Sequence, residues 1–109
     1  RLHEKAYLNA YTYYKTGKYK SAIVAFKNAL KQYPESKRRE EIMYLIVDSG
    51  YRLASNSISE KQTDRYLSML DSYLSFKEEF PESTHIKSLD RMAQQARDYL
   101  DRNNKDNNI

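Results

Sequence analysis

The chain has 109 residues, of which 39% are hydrophobic and 31% are charged, a composition typical of one small globular domain. No apolar run is long enough to cross a bilayer, and the lack of cysteine excludes disulfides and thiol catalysis. Two glycines and two prolines are fewer than sheets and tight turns usually need, which favours helices joined by few breakers.

The formal net charge of +4 is unevenly distributed along the chain. Residues 1–39 hold ten Lys and Arg against two acidic residues, which gives +8. Residues 40–109 hold nine Lys and Arg against thirteen acidic residues, which gives −4. Two interpretations stay open: helix faces of different sign exposed to solvent, or a basic end that attracts an acidic partner.

Two helices are predicted before the first proline. The first covers about residues 4–16 and ends at Gly17, because glycine readily adopts the positive φ that a helix end often needs. The second carries apolar residues from Ala22 at i, i+1, i+4, i+7, i+8 and i+11, which form one stripe of a helix. Pro34 ends it, since proline cannot continue the hydrogen-bond ladder. The opposite side carries Lys20, Val24, Lys27 and Lys31.

Two further helices are predicted between the prolines. Ser36 is placed to cap a third helix that runs to about Ser55, and its centre, residues 42–47, is apolar on every side. We therefore expect neighbours to cover it on more than one face. Residues 59–62 (Ser-Glu-Lys-Gln) fit a capping box for a fourth helix that stops at Pro81. Its broad apolar stripe comprises Tyr66, Leu67, Met69, Leu70, Tyr73, Leu74, Phe76 and Phe80.

A fifth helix is predicted after Ser83, which can cap it through its hydroxyl. We expect this closing helix to cover residues 84–102. Its expected inward residues are Ile86, Leu89, Ala93, Ala96, Tyr99 and Leu100. Residues 103–109 have little to bury and are predicted to form a frayed polar tail.

The same four-residue motif occurs twice, as Tyr-Pro-Glu-Ser at residues 33–36 and Phe-Pro-Glu-Ser at residues 80–83. When the second and fourth helices are aligned by these prolines, five positions match with identical spacing. Tyr19, Ala22, Phe26, Ala29 and Pro34 align with Tyr66, Met69, Tyr73, Phe76 and Pro81. This repetition predicts an all-α right-handed stack of five helices within residues 1–102, made of two helix-turn-helix units (about 4–34 and 37–81) and the closing helix.

The first unit resembles the tetratricopeptide repeat. The matching positions are Ala10, Tyr13, Gly17, Ala22, Phe26, Ala29 and Pro34. Small residues let paired helices approach, aromatic residues fill the space between pairs, and proline separates the units. The second unit departs from the motif, because Met69 and Phe76 occupy its two small positions.

A narrower resemblance rests on the run Ala10-Tyr-x-Tyr-Tyr-x-x-Gly17, the Tyr-Pro-Glu-Ser corner and a helix that ends in Tyr51-Arg-Leu-Ala54. These features resemble the C-terminal repeats of the BamD (YfiO) family, lipoproteins of outer-membrane assembly. The resemblance implies a scaffold at the periplasmic face of the outer membrane, tethered by a lipidated cysteine upstream of Arg1. Its implied partners are the periplasmic domain of BamA, other assembly lipoproteins and unfolded outer-membrane protein segments.

The candidate binding residues lie near the basic end. Tyr7, Tyr11 and Tyr14 recur at i, i+4 and i+7 on the first helix, and the repeat resemblance places this face on the concave groove. They bind a partner or pack against an upstream repeat, and the sequence leaves both possibilities open. The neighbouring cations are Lys15, Lys18, Lys37, Arg38 and Arg39.

Other classes of function find little support in the sequence. No catalytic, cofactor or metal site is predicted, since there is no glycine-rich loop and the only histidines, His3 and His85, lie far apart. Tyrosines beside lysines could stack on nucleic-acid bases, but the acidic second half argues against a continuous basic track. A generic peptide-binding repeat module of another bacterial complex stays open as the alternative function.

Overall fold

The computed structural model describes the backbone of residues 1–107 and the side chains of residues 1–104. This part of the chain contains α-helices and no strand, in a body of 54 × 29 × 19 Å. The helices are α1 (Leu2–Lys15), α2 (Tyr19–Gln32), α3 (Arg39–Ser55), α4 (Ser59–Glu79) and α5 (Ile86–Asn107). The prediction of an all-α, five-helix fold is confirmed, and the arrangement is consistent with a tetratricopeptide-like stack.

The predicted breakers act at the predicted places. Gly17 has a φ of +77°, the left-handed conformation that costs glycine little. α2 and α4 end alike before their prolines: Tyr33 donates its N–H to the Ala29 carbonyl at 2.9 Å, and Phe80 donates to the Phe76 carbonyl at 2.8 Å. The two Pro-Glu-Ser corners are therefore equivalent structures as well as equivalent sequences.

The predicted helix caps at Ser36 and Ser83 are wrong, because each serine lies three residues before the first residue of its helix. The Ser36 hydroxyl accepts the backbone N–H of Arg38 at 3.1 Å, and the Ser83 hydroxyl accepts that of His85, also at 3.1 Å. Each bond closes a tight turn, and the helix begins at the next residue, Arg39 or Ile86. The hydroxyls thus shape the approach to α3 and α5.

The predicted capping box at residues 59–62 is wrong. α4 begins at Ser59, so the residue at the cap position is Ile58, and it makes no side-chain cap hydrogen bond. The Gln62 amide instead donates to the Ala54 carbonyl at 3.0 Å. This carbonyl lies in the last turn of α3 and also accepts the Ser57 N–H at 3.2 Å. The added bond from Gln62 therefore stabilises the end of the preceding helix.

Packing follows the order of the chain, with each helix contacting the next and α3 also contacting α5. One core cluster surrounds Phe26 and a second surrounds Phe76, and both rings are completely buried. Three of the four aligned helix positions are buried in both α2 and α4, which supports the match between them: Ala22, Phe26, Ala29, Met69, Tyr73 and Phe76. At the fourth, Tyr66 is buried and Tyr19 is half-buried. α3 contributes to both clusters, as expected for a helix with apolar residues on every side.

Two leucines depart from the predicted core. Leu67 and Leu74 were assigned to the apolar stripe of α4, yet 49% and 54% of their surfaces are exposed. Each follows a buried tyrosine and is therefore rotated about 100° from it, beyond the part of α4 that α3 and α5 cover. The outward side of α4 thus carries apolar surface that the monomer does not bury.

The last helix is longer than predicted. α5 continues to Asn107, because neither glycine nor proline follows Leu100 to interrupt the helix. The predicted frayed tail at 103–109 therefore has a helical backbone as far as residue 107, and residues 108 and 109 lie outside the described part. The division into units at 4–34, 37–81 and 84–102 stays a prediction.

Candidate protein-interaction surface

A row of three tyrosine rings runs along α1. Tyr7 and Tyr11 stack with ring centroids 5.7 Å apart, and Tyr11 and Tyr14 stack at 5.8 Å. Tyr7 is buried against the core, with its ring 6.2 Å from that of Phe26, whereas Tyr11 and Tyr14 are half-buried. The i, i+4, i+7 spacing therefore does create a continuous aromatic surface, of which Tyr11 and Tyr14 are the accessible part.

Tyr14 is anchored to a buried carboxylate of α3. Its hydroxyl donates a hydrogen bond to Asp48, of which only 1% is exposed. The Arg52 guanidinium donates to both oxygens of Asp48 at 3.2 Å, one helical turn away. Burial, this hydrogen bond and the negative charge of Asp48 raise the pKa of Tyr14, in that order. Because the Asp48 carboxylate is paired with Arg52 and accepts the Tyr14 hydrogen bond, it links α1 to α3 without leaving an unpaired buried charge.

Arg38 joins the start of α1 to the turn before α3. Its guanidinium donates to both carboxylate oxygens of Glu4, at 2.5 and 3.1 Å, and lies 4.2 Å from the centre of the Tyr7 ring. The hydrogen bond to Arg38 is the main cause that lowers the pKa of Glu4. A bidentate pair combined with a cation–π contact is a specific arrangement for arginine. Arg38 therefore positions Tyr7 within the chain.

Arg39 connects the two Pro-Glu-Ser corners. It donates two hydrogen bonds to Glu79, the last residue of α4, and a third to the Pro34 carbonyl at 3.3 Å. The hydrogen bond to Arg39 lowers the pKa of Glu79. Close by, the Ser83 hydroxyl donates to Glu40 at 2.7 Å. Both arginines of the predicted site thus pair within the chain, where the sequence suggested cations open to a partner.

The three lysines of the predicted site are exposed. Among the described side chains, Lys15, Lys18 and Lys37 form no ion pair. The Lys15 ammonium lies 5.8 Å from the centre of the Tyr11 ring, so it belongs to the same surface as the tyrosine row. Lys18 and Lys37 lie in the links after α1 and before α3. These lysines are the part of the predicted cationic end that can still steer a partner.

The aromatic surface continues onto α3 and the turn before α5. Tyr44 is half-buried and stacks on His85, with centroids 3.8 Å apart and planes 11° from parallel. Burial, and then the charges of Asp48 and Glu41, raise the pKa of Tyr44. Further along α3, the Tyr51 hydroxyl donates to the amide oxygen of Gln95 on α5.

Sequence reasoning missed this extension. It assigned residues 42–47 to the core as a block, and it considered His85 only for its distance from His3. An available signal was the i, i+4, i+7 spacing of Tyr44, Asp48 and Tyr51, which repeats that of Tyr7, Tyr11 and Tyr14.

This surface offers aromatic rings for packing and positive charge for electrostatic attraction. Among residues 1–104, no three His, Asp or Glu side chains are grouped closely enough to hold a metal ion. None of the described helices combines the length and the apolar character that crossing a bilayer requires. Rigid tyrosine rings beside exposed lysines are suited to bind another polypeptide, since such rings bury much area at a small cost in conformational entropy.

The chain matches a known protein family over nearly its whole length. A protein-family model described as "YfiO: Outer membrane lipoprotein" matches residues 1–105, which include the whole tyrosine row and nearly all of the five helices. No curated protein matches the chain.

Proposed function

Because the chain belongs to the YfiO family of outer membrane lipoproteins, we propose that it is a non-enzymatic scaffold subunit of the machinery that assembles outer-membrane β-barrel proteins. In this role it works at the periplasmic face of the outer membrane, held there by a lipid anchor on the full protein. It docks to the periplasmic domain of BamA and to accessory lipoproteins, and it contacts unfolded outer-membrane protein segments. The family membership and the aromatic surface together support this proposal.

The observation that carries the proposal is the tyrosine row beside exposed lysines. Tyr11 is half-buried and stacks on a tyrosine at each side, so its ring is held in place before a partner arrives. A preorganised aromatic anchor loses little entropy on binding. The Lys15 ammonium lies 5.8 Å from the centre of the Tyr11 ring, and Lys18 and Lys37 add positive charge in the links after α1 and before α3. Such charge accelerates encounter with an acidic partner.

The contacts of the two arginines refine the test of this surface. Reversing the charge of Arg38 or Arg39 would break an ion pair to Glu4 or Glu79 and disturb the fold as well as any docking. Lys18 and Lys37 are exposed and form no ion pair among the described residues, so changing them alters the docking charge alone.

The experiment is surface-based binding kinetics against the BamA periplasmic region at low and high salt. We expect Lys18→Glu with Lys37→Glu to slow association several-fold at low salt and to weaken its salt dependence. We expect Tyr11→Ala to raise the dissociation rate about tenfold, which corresponds to about 1.4 kcal/mol for a lost anchor. Circular dichroism checks that each variant keeps its helical content.

The matched charge control is Lys61→Glu with Lys87→Glu, which makes the same change in net charge on the exposed surface of α4 and α5. This control should leave both rate constants unchanged. If the BamA region binds and every variant behaves like the control, docking occurs elsewhere. If it does not bind at all, the chain is a repeat module of another complex and this assignment of partner is wrong.

A further inference from the structure

The outward side of α2 is basic with an apolar centre. Lys20, Val24, Lys27 and Lys31 follow one another at intervals of four, three and four residues, so they share one stripe of the helix. All four are exposed, and 57% of the Val24 surface is accessible. None of the three lysines pairs with an acidic residue among the described side chains. We refer to these four residues as the α2 outer face.

The outward side of α4 has the complementary pattern. Glu60, Asp64, Leu67 and Asp71 also follow at intervals of four, three and four residues and are all exposed. Leu67 is 49% accessible, and none of the three acidic residues forms an ion pair among the described side chains. These four residues are the α4 outer face. It presents three negative charges and one apolar side chain where the α2 outer face presents three positive charges and one apolar side chain.

From these two faces we infer that the chain associates with itself, the α2 outer face of one copy packing antiparallel on the α4 outer face of another. Antiparallel alignment with Val24 opposite Leu67 places Lys27 opposite Asp64. The same alignment places the two outer lysines opposite the two remaining acidic residues, Lys20 with Asp71 and Lys31 with Glu60. All four positions therefore match in one register.

A parallel alignment with the same spacing matches less well. It places Lys20 opposite Glu60 and Lys31 opposite Asp71, but it sets Val24 against Asp64 and Lys27 against Leu67. An apolar side chain then covers a charge at both central positions, which leaves the charge without its partner. The direction of the helix pair is thus fixed by charge and polarity together.

Association through these faces is weak and sensitive to salt. The contacts are exposed ion pairs around one apolar pair, so the interface lies at the lower end of the size range of specific interfaces. We expect a dissociation constant on the order of 0.1–1 mM at low ionic strength. Each copy carries both faces, so two copies either close on each other reciprocally or continue head to tail.

The test is sedimentation equilibrium of the 13.0 kDa chain over a range of concentrations up to about 1 mM, in about 0.05 M and about 0.5 M NaCl. We expect the weight-average mass to rise with concentration at low salt and to return to that of the monomer at high salt. A mass that stays at the monomer value under all these conditions overturns the inference.

Charge reversal tests the register directly. Lys27→Glu alone sets Glu against Asp64, and Asp64→Lys alone sets Lys against Lys27, so each variant should be monomeric. An equimolar mixture of the two restores an attractive pair in every mixed contact. In one contact the two reversed residues meet, and in the other the native Lys27 meets the native Asp64. The mixture should therefore associate about as strongly as the wild-type chain.

Matched variants on α5 provide the control. Lys87→Glu and Asp101→Lys make the same charge changes at exposed positions away from both faces, and each alone should associate like the wild-type chain. Circular dichroism confirms that the variants remain helical. Two results overturn the inference: a mixture of Lys27→Glu and Asp64→Lys that stays monomeric, or control variants that lose association to the same extent.

Discussion

Removing one hydroxyl from Tyr14 tests how strongly the buried carboxylate joins α1 to α3. Tyr14→Phe keeps the stacked ring and removes only the hydrogen bond to Asp48, which is 1% exposed. A hydrogen bond to a charged partner contributes about 1.5–3 kcal/mol, and the site is partly buried rather than open to water. We therefore expect Tyr14→Phe to lower the free energy of unfolding by about 1.5–3 kcal/mol at neutral pH.

Urea denaturation followed by circular dichroism measures this change, and Tyr13→Phe is the matched control. Tyr13 precedes Tyr14 on α1 and is also half-buried, but its hydroxyl makes no hydrogen bond among the described side chains. Its replacement should cost less than about 0.5 kcal/mol. In an Asp48→Asn background the cost of Tyr14→Phe should shrink, because the acceptor is then neutral. If Tyr14→Phe costs no more than Tyr13→Phe, the hydrogen bond does not join the helices.

The same hydroxyl gives a pH dependence of known sign. The pKa of Tyr14 is raised in the folded chain above its ordinary value near 10, so the folded state holds the phenolic proton more tightly than the unfolded state does. The resulting stability is fully present below about pH 10 and decreases as the pH rises toward the folded-state pKa. Urea melts between about pH 8 and pH 11 should therefore show a steeper alkaline loss of stability for the wild-type chain than for Tyr14→Phe. Equal slopes would contradict this assignment.

Three further changes test the fold. Phe26→Ala should lower the free energy of unfolding by about 3–5 kcal/mol in urea melts, because the ring is completely buried between helices. A loss under about 1 kcal/mol would contradict the assignment of the apolar stripe of α2 to the core. Ala22→Leu should cost about 1–3 kcal/mol by overpacking a site with no exposed surface, and an unchanged midpoint would argue against close helix approach there. Gly17→Ala should lower the free energy of unfolding by about 1–2 kcal/mol, since φ is +77°. A Cβ there would meet nothing within 4 Å, so the loss measures backbone strain alone. Gly17→Asn should cost less, because asparagine adopts this left-handed conformation more readily.

Local sequence features determined the helices and most of the core. Gly17 and Pro34 act through their own backbone chemistry, which needs no tertiary partner, and their effects appear where predicted. The helical spacing of Ala22, Phe26 and Ala29 identified buried positions because period and burial are linked in any amphipathic helix. The spacing of Tyr7, Tyr11 and Tyr14 likewise identified an aromatic surface, the part of the candidate site that the sequence could supply.

The tertiary structure decided which of these side chains contact one another. Tyr14 meets Asp48 and Arg38 meets Glu4 across 34 residues of sequence, and the way in which α1 and the start of α3 are placed relative to each other sets both distances. No local pattern encodes that placement. For the same reason, the sequence could not show that Gln62 stabilises the end of α3, or that Leu67 lies beyond the surface that the neighbouring helices cover. Spacing along one helix assigns a residue to a face, but only the packing of several helices determines whether another side chain covers that face.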